Sequence, residues 1–265
     1  MRVALVSLDS QWEDKEANFA ACTNYVQAAA ALDAQAIIFP EMTLTGFSVC
    51  NPALAEKAHD SWTLRSFTAL AAQFKMELVF GMICEHEGGL VNRLYVLAAD
   101  GSVTGHYDKI HLFAPGQESK CFKAGQTRLL ATLGNMPAAF SICYDLRFPE
   151  LYTTLPQCTE LLVNIASWPA TRIAHWQTLL AARAIEQRAF VIGVNRTGQD
   201  GNQLSYVASS AVYNPDGQVL APVVTQGNLA VFNIEQDIVR QSRALFDPRH
   251  DRCGQDYANW QKENV

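Results

Sequence analysis

Charge is sparse in this chain of 265 residues: Asp, Glu, Lys and Arg make up 17%, against about 25% in an average globular domain. Such a surface is short of charge for a monomer, and part of it is expected to be covered in an oligomer. Basic runs are missing too. Lys plus Arg is 20 against 26 for Asp plus Glu, and with no cluster of cations the chain offers no footprint for nucleic acid. No stretch approaches about 18 uncharged apolar residues, so no membrane-spanning helix is expected. The apolar run Met1 to Leu8 is too short for a signal sequence and meets charge at Glu13 to Glu16. Paired C-x-x-C, H-x-x-H and H-E-x-x-H spacings are all absent, which argues against a metal centre. The 7 cysteines, an odd number scattered from Cys22 to Cys253, do not form a secreted disulfide framework and point to a reducing compartment. A cytoplasmic protein with no membrane partner is the expectation. Linkers rich in Gly, Ser or Pro and internal repeats are also lacking, so residues 1–265 read as a single domain, long enough to bury about three quarters of its unfolded surface.

What is present is an alternation of short apolar runs with helical patterns. Val3 to Leu8 reads as a strand, followed by Phe19, Cys22, Val26 and Ala29 at the three- and four-residue spacings of a packed helix face. Ala36 to Phe39 is a second strand, Trp62 to Lys75 a helix, and Glu77 to Cys84, Leu90 to Ala98 and Val103 to Tyr107 are strands. Pro137 to Cys143 and Glu160 to Ala166 are strands separated by a short helix after Asp145. Ile173, Trp176, Leu180 and Ala184 mark a long helix before the strand Phe190 to Val194. Tyr206 to Tyr213, Val219 to Val223 and Leu229 to Ile234 read as an antiparallel finish, turned by Asn214-Pro215-Asp216-Gly217. The pattern predicts an α/β layered fold with mixed sheets. The Arg-, Asp- and His-rich segment from about Ser242 is expected to pack back on the body or on a partner.

Three reactive side chains end strands. Glu41 follows Ala36 to Phe39, Lys109 follows Val103 to Tyr107, and Cys143 closes Pro137 to Ile142. In open α/β sheets ligands sit outside the carboxyl ends of the strands, where these three would converge. A cysteine at a strand-to-helix turn, near an ammonium, is biased towards thiolate and suits a nucleophile. A carboxylate such as Glu41 can take and return protons, while the Lys109 ammonium and the Tyr144 N–H can stabilise an oxyanion. Each residue alone has an ordinary reading as a core thiol or a solvated charge. His111 and His175 would tempt towards a Cys–His hydrolase, but packing and hydrogen bonding are a better reading of both than a role as base.

The text around these residues resembles the nitrilase superfamily of carbon-nitrogen hydrolases. The matching segments are Phe39-Pro40-Glu41 with Thr45-Gly46-Phe47, Tyr107-Asp108-Lys109-Ile110-His111, and Cys143-Tyr144-Asp145-Leu146-Arg147-Phe148-Pro149-Glu150. Ala166-Ser167-Trp168-Pro169, His175-Trp176, Ala182 to Glu186 and Gly193-Val194-Asn195-Arg196 extend the match over nearly the whole chain. The resemblance implies a four-layer α-β-β-α sandwich of two mixed sheets that forms a homodimer. It also implies a triad of Glu41 as base, Lys109 as oxyanion stabiliser and Cys143 as nucleophile, with Glu118 as a second glutamate orienting the lysine. No cofactor is implied. Cys-Tyr-Asp-Leu-Arg-Phe-Pro combined with Ala-Ser-Trp-Pro is most similar to the omega-amidase type, whose substrates are small dicarboxylic acid monoamides such as 2-oxoglutaramate. Such an amide carries a carboxylate at its far end, which calls for a cation. Arg147, Arg172 and Arg196 are candidates, although Arg147 could instead pair with Asp145 or Glu150. Trp168 and Phe47 could wall the pocket or belong to the core. Other readings are an amidase for deaminated glutathione, an N-carbamoyl hydrolase, a nitrilase, or a non-catalytic binding protein on the same fold. Cys121 is placed near the pocket mouth.

Overall fold

A computed structural model describes residues 1–49 and 51–254. In chain order its strands are β1 (Arg2–Val6), β2 (Ala36–Ile38), β3 (Glu56–Lys57), β4 (Glu77–His86), β5 (Gly89–Leu97), β6 (Val103–Asp108), β7 (Leu129–Leu133) and β8 (Met136–Ile142). Then come β9 (Leu161–Ala166), β10 (Phe190–Asn195), β11 (Gly198–Gln199), β12 (Ser205–Tyr206), β13 (Ala211–Tyr213), β14 (Val224–Gln226) and β15 (Leu229–Asn233). The helices are α1 (Lys15–Ala31), α2 (Trp62–Phe74), α3 (Glu118–Cys121), α4 (Pro149–Thr153), α5 (Ile173–Gln187) and α6 (Gln236–Leu245).

All the strands but β11 and β12, which pair with each other as a small ribbon, make two mixed sheets. The larger runs β14-β15-β1-β2-β4-β5-β6, with β3 also paired to β4, and the smaller runs β13-β10-β9-β8-β7. Strands β1, β2 and β4 are parallel, as are β8, β9 and β10, while hairpin partners close the edges antiparallel. Because successive side chains in a strand point to opposite faces, Val3, Leu5, Ile38 and Val79 pack towards the smaller sheet. Ala4, Val6, Ile37, Phe39, Leu78 and Phe80 pack instead against Cys22, Val26, Phe67 and Leu70 of α1 and α2. On the far side, Trp176, Leu180 and Ala184 of α5 cover the smaller sheet. The order is helices, sheet, sheet, helix, the four layers expected.

Several boundaries differ from the sequence pattern. The stretch Tyr206 to Tyr213 is not one strand: Ser205–Tyr206 pairs with β11 and Ala211–Tyr213 with β10. Between them Ser209 and Ser210 spend their hydroxyls on Asn195, and Ser210 also meets Ser7. Val219 to Val223 is not a strand either. Pro222 has no N–H to give a ladder, Val219 makes a single bridge to Tyr213, and β14 starts only at Val224. Strand β7, on the edge of the smaller sheet, has no counterpart in the pattern. The helix placed after Asp145 is split: a 3-10 turn Cys143–Arg147 comes first, Phe148 is extended, and α4 starts at Pro149. The segment from Ser242 does pack back. Arg243 donates to carbonyls of Arg188, Gln157 and Thr159, and Arg249 and Arg252 to those of Gln157 and Glu186. The end of that segment, residues 255–265, lies outside the described residues, as does Cys50.

This architecture delivers the reactive positions to one end. Glu41 lies just past β2, Lys109 past β6, Cys143 past β8 and Ser167 past β9, all at the carboxyl ends of their strands. Among the described residues, no helix is long and apolar enough to cross a membrane.

Candidate active site

Glu41 reaches the gap between the sheets because β4 lets its loop approach. A Cβ on Gly81 would lie 2.7 Å from the Met42 nitrogen and 3.1 Å from the Glu41 Cα, so only glycine fits there. The Glu41 carboxylate is then buried and fully engaged. Its Oε1 accepts from Lys109 Nζ at 2.8 Å and Asn92 Nδ2 at 2.7 Å, and its Oε2 accepts from the Ser167 N–H at 2.9 Å.

Glu118 mirrors it. Its Oε2 lies 2.8 Å from Lys109 Nζ and accepts from the Phe113 N–H, and its Oε1 accepts from Asn92 Nδ2 at 2.9 Å. Lys109 and Asn92 therefore each bridge the two glutamates, and the four buried side chains close into a ring. Burial alone would lower the Lys109 ammonium, but Glu41 and Glu118 reverse this and hold it above its ordinary value. The lysine stays charged. The ring of Phe47, with its centroid 5.4 Å from Nζ, closes one side of this charge.

Asn92 was not singled out from sequence. It sits in the apolar run Leu90 to Ala98 with no exposure, and a polar side chain inside a fully buried strand was the signal that could have found it.

Cys143 ends β8 with φ of 48°, in the left-handed region that non-glycine residues rarely occupy and that costs of order 1 kcal/mol. The turn is fixed from behind by Asp145. Its Oδ2 accepts from the Ile142 N–H at 3.0 Å and the Tyr107 hydroxyl at 2.8 Å, and its Oδ1 accepts from the His111 N–H at 2.9 Å and lies 2.8 Å from His111 Nδ1. The loop after Lys109 and the turn after Cys143 are thus joined through one buried carboxylate. His111 is occupied in this joint and also stacks on Phe148 at 3.8 Å.

The Cys143 thiol departs from the bias towards thiolate. Burial, followed by the Glu41 charge, pushes it well above its ordinary value, and Lys109 and the Ser167 N–H offset this only in part. A five-residue 3-10 turn brings little dipole to set against that. These surroundings favour the thiol over the thiolate, so a role for Cys143 as nucleophile would call for a base.

Above Cys143 lies a cavity of about 610 Å³. Phe47, Tyr144, Arg147 and Trp168 line it, as do Arg172, Phe113, Trp12 and Tyr206. The Tyr144 N–H, in the first turn of a helix, has no partner within that helix. Trp168 is held by Asn195, whose Oδ1 accepts from its N–H at 2.7 Å and whose Nδ2 donates to its carbonyl at 2.9 Å. Arg147 pairs with neither Asp145 nor Glu150. It lies 4.7 Å over the Trp168 ring, and among the described residues it forms no salt bridge. Arg196 does not reach the cavity: fully buried, it donates to the carbonyls of Ser10, Thr197 and Gln199 and supports Tyr206 from behind. Cys121 packs beside Met42, Phe47, Ile83 and Phe122 rather than in the cavity wall. No group of three or more His, Cys, Asp or Glu that could hold a metal occurs among the described residues.

Comparison with known proteins identifies the family. Residues 2–244 match the carbon-nitrogen hydrolase family. The chain is 35% identical to the omega-amidase YafV of Escherichia coli over 221 residues, 83% of this chain and 84% of that protein. It is 30% identical to the 2-oxoglutaramate amidase of Bacillus subtilis over 225 residues, 81% of this chain and 84% of that one. Among solved structures, XC1258 of Xanthomonas campestris, a CN-hydrolase superfamily protein with an arsenic adduct in its active site, superposes with a TM-score of 0.88 at 32% identity. The match covers 95% of this chain and 97% of that one. An amidase from Nesterenkonia sp. shares the fold, with a TM-score of 0.84 at 22% identity over 98% and 96% of the two chains. The chain belongs to the carbon-nitrogen hydrolase family and is an amidohydrolase of the nitrilase superfamily.

Proposed function

We propose that this enzyme hydrolyses the terminal amide of a small dicarboxylic acid monoamide, such as 2-oxoglutaramate, through a thioester on Cys143. The observation that carries the substrate reading is Arg147, a guanidinium with no carboxylate partner among the described residues, lying on Trp168 in the wall of the cavity above Cys143. A substrate carboxylate supplies the missing partner. The similarity to proteins named omega-amidase and 2-oxoglutaramate amidase supports the same reading.

The geometry of the site supports the following chemistry. Glu41 takes the thiol proton as Sγ bonds to the amide carbon, and the carbonyl oxygen becomes an oxyanion facing the Lys109 ammonium and the Tyr144 N–H. Glu41 returns the proton to the nitrogen, the C–N bond breaks and ammonia leaves. Water, deprotonated by Glu41, then attacks the thioester. The acid departs and the proton returns to sulfur. Glu118 and Asn92 hold Lys109 and Glu41 in register and touch no reacting atom. Phe47 and Trp168 wall the acyl chain. The working form is proposed to be a cytoplasmic homodimer with no cofactor.

The test is ammonia release from a panel: 2-oxoglutaramate, 2-oxosuccinamate, deaminated glutathione, an N-carbamoyl amino acid and an aliphatic nitrile. Highest kcat/KM on the two short monoamides is expected. A clear preference for any other member overturns the substrate reading, and the cavity volume, within the range of about 300–1,000 Å³ that holds drug-sized ligands, makes the longer amide the competitor to watch.

A further inference from the structure

Arg147 is held from outside its own turn. Besides resting 4.7 Å over Trp168 and 6.0 Å from the Tyr144 ring, it places Nη2 at 3.2 Å from Nδ1 of His175, in the first turn of α5. A guanidinium has only donors and does not give up its proton in proteins. The contact therefore exists only when His175 is neutral, with its lone pair on Nδ1 and its hydrogen on Nε2. Helix α5 supports the arginine a second time. Trp176, the next residue, is buried, donates from Nε1 to the Ser209 carbonyl at 3.0 Å, and packs 5.4 Å from Trp168, the ring on which Arg147 rests.

The choice of partner has a consequence. An aspartate in place of His175 would also orient the guanidinium, but it would neutralise the charge and compete with an incoming carboxylate. A neutral imidazole orients it and leaves the charge free. The two acids of the cavity wall are engaged elsewhere, Glu13 with Ser48 and Asn51, and Asp200 with Tyr206 and the N–H groups of Asn202 and Leu204. An arginine already ordered loses less freedom when substrate arrives.

We propose that His175 is a positioning residue for the substrate carboxylate: by accepting from Arg147 Nη2 it fixes the guanidinium in the cavity wall without cancelling its charge. This rests on the reading that Arg147 receives that carboxylate, and His175 acts through Arg147 alone.

The experiment compares His175→Ala, His175→Gln and Arg147→Ala on two ligands, 2-oxoglutaramate as substrate and the uncharged butyramide as a competitive inhibitor, with melting curves to confirm folding. For His175→Ala the expected result is a KM for 2-oxoglutaramate raised about tenfold with kcat within about twofold, the inhibition constant of butyramide being unchanged. His175→Gln, whose amide oxygen can accept from Nη2, is expected to recover most of the loss. An unchanged KM in His175→Ala, an equal loss on both ligands, or no recovery by glutamine overturns the proposal. Arg147→Ala separates the two levels. If it raises the KM while His175→Ala does not, only the role of His175 falls; if it leaves the KM unchanged, the carboxylate reading falls and this inference with it.

Discussion

At the scale of single residues, the site turns on two glutamates sharing one lysine and one asparagine. Cys143→Ala is expected to lower ammonia release by at least about 10³-fold, since removing a nucleophile leaves only binding and oxyanion stabilisation, while the melting temperature holds. Activity close to wild type would end the thioester proposal. Asn92 is the sharper test of the ring. Asn92→Ala takes one donor from each glutamate, and kcat is expected to fall about 10²-fold with a loss of about 1–3 kcal/mol of stability. Asn92→Asp places a third carboxylate beside the two and should be worse. A kcat within twofold of wild type in Asn92→Ala would show that Lys109 alone holds the pair. Residue chemistry was legible unevenly. Glu41, Lys109 and Cys143 stood out through the motifs around them, whereas Asn92 has no motif and is meaningful only once β5 places it between Glu41 and Glu118. Asp145 lay inside a recognised motif, but its partners Tyr107, in β6, and His111, in the loop after it, come from another part of the chain, and no spacing announces that.

At the scale of elements, the helices on the outer face of the larger sheet are locked by one half-buried carboxylate. Glu56 accepts from Lys15 in α1, from Ser61, which caps α2, and from the N–H and hydroxyl of Thr63. Burial would raise its pKa, but these hydrogen bonds and the Lys15 charge lower it from 4.5 to about 2. The folded value lies below the unfolded one, so the stabilisation is complete above about pH 4.5 and is lost as pH falls through about 2. It amounts to roughly 3 kcal/mol at most. Glu56→Gln is expected to be less stable than wild type in urea at pH 7, with the gap closing between pH 4.5 and 2. A gap independent of pH would mean that the ionised form is not the source. Elements with a strong period were readable: α2 was expected at Trp62 to Lys75 and spans Trp62–Phe74. Strand β7 was not, because it is an edge strand with Leu130 47% exposed and shows no alternation of apolar and polar residues. Val219 to Val223 misled for the opposite reason, being apolar in composition but interrupted by Pro222.

At the scale of the whole molecule, two sheets between helices account for much of the low charge, since most strand residues face another layer on both sides. The apolar surface that remains is uneven. Leu245 and Phe246, at the end of α6, are 86% and 63% exposed, and Phe246 sits 5.9 Å from the Arg188 guanidinium at the end of α5. These residues support the proposed homodimer, and sedimentation is expected to give twice the chain mass. Phe246→Asp should shift the equilibrium towards monomer; a wild-type chain that sediments as a monomer at micromolar concentration would refute it.

The protonated thiol of Cys143 also bears on durability. Peroxide reacts with thiolates, not thiols, so the proposed nucleophile, held as a thiol by its burial, should be sheltered from oxidation while the enzyme idles. Cys158 and Cys253, both exposed, would then be oxidised first. Activity is expected to outlast these surface thiols during a peroxide titration, read by mass spectrometry beside residual ammonia release, and loss of activity ahead of their modification would contradict the protected state.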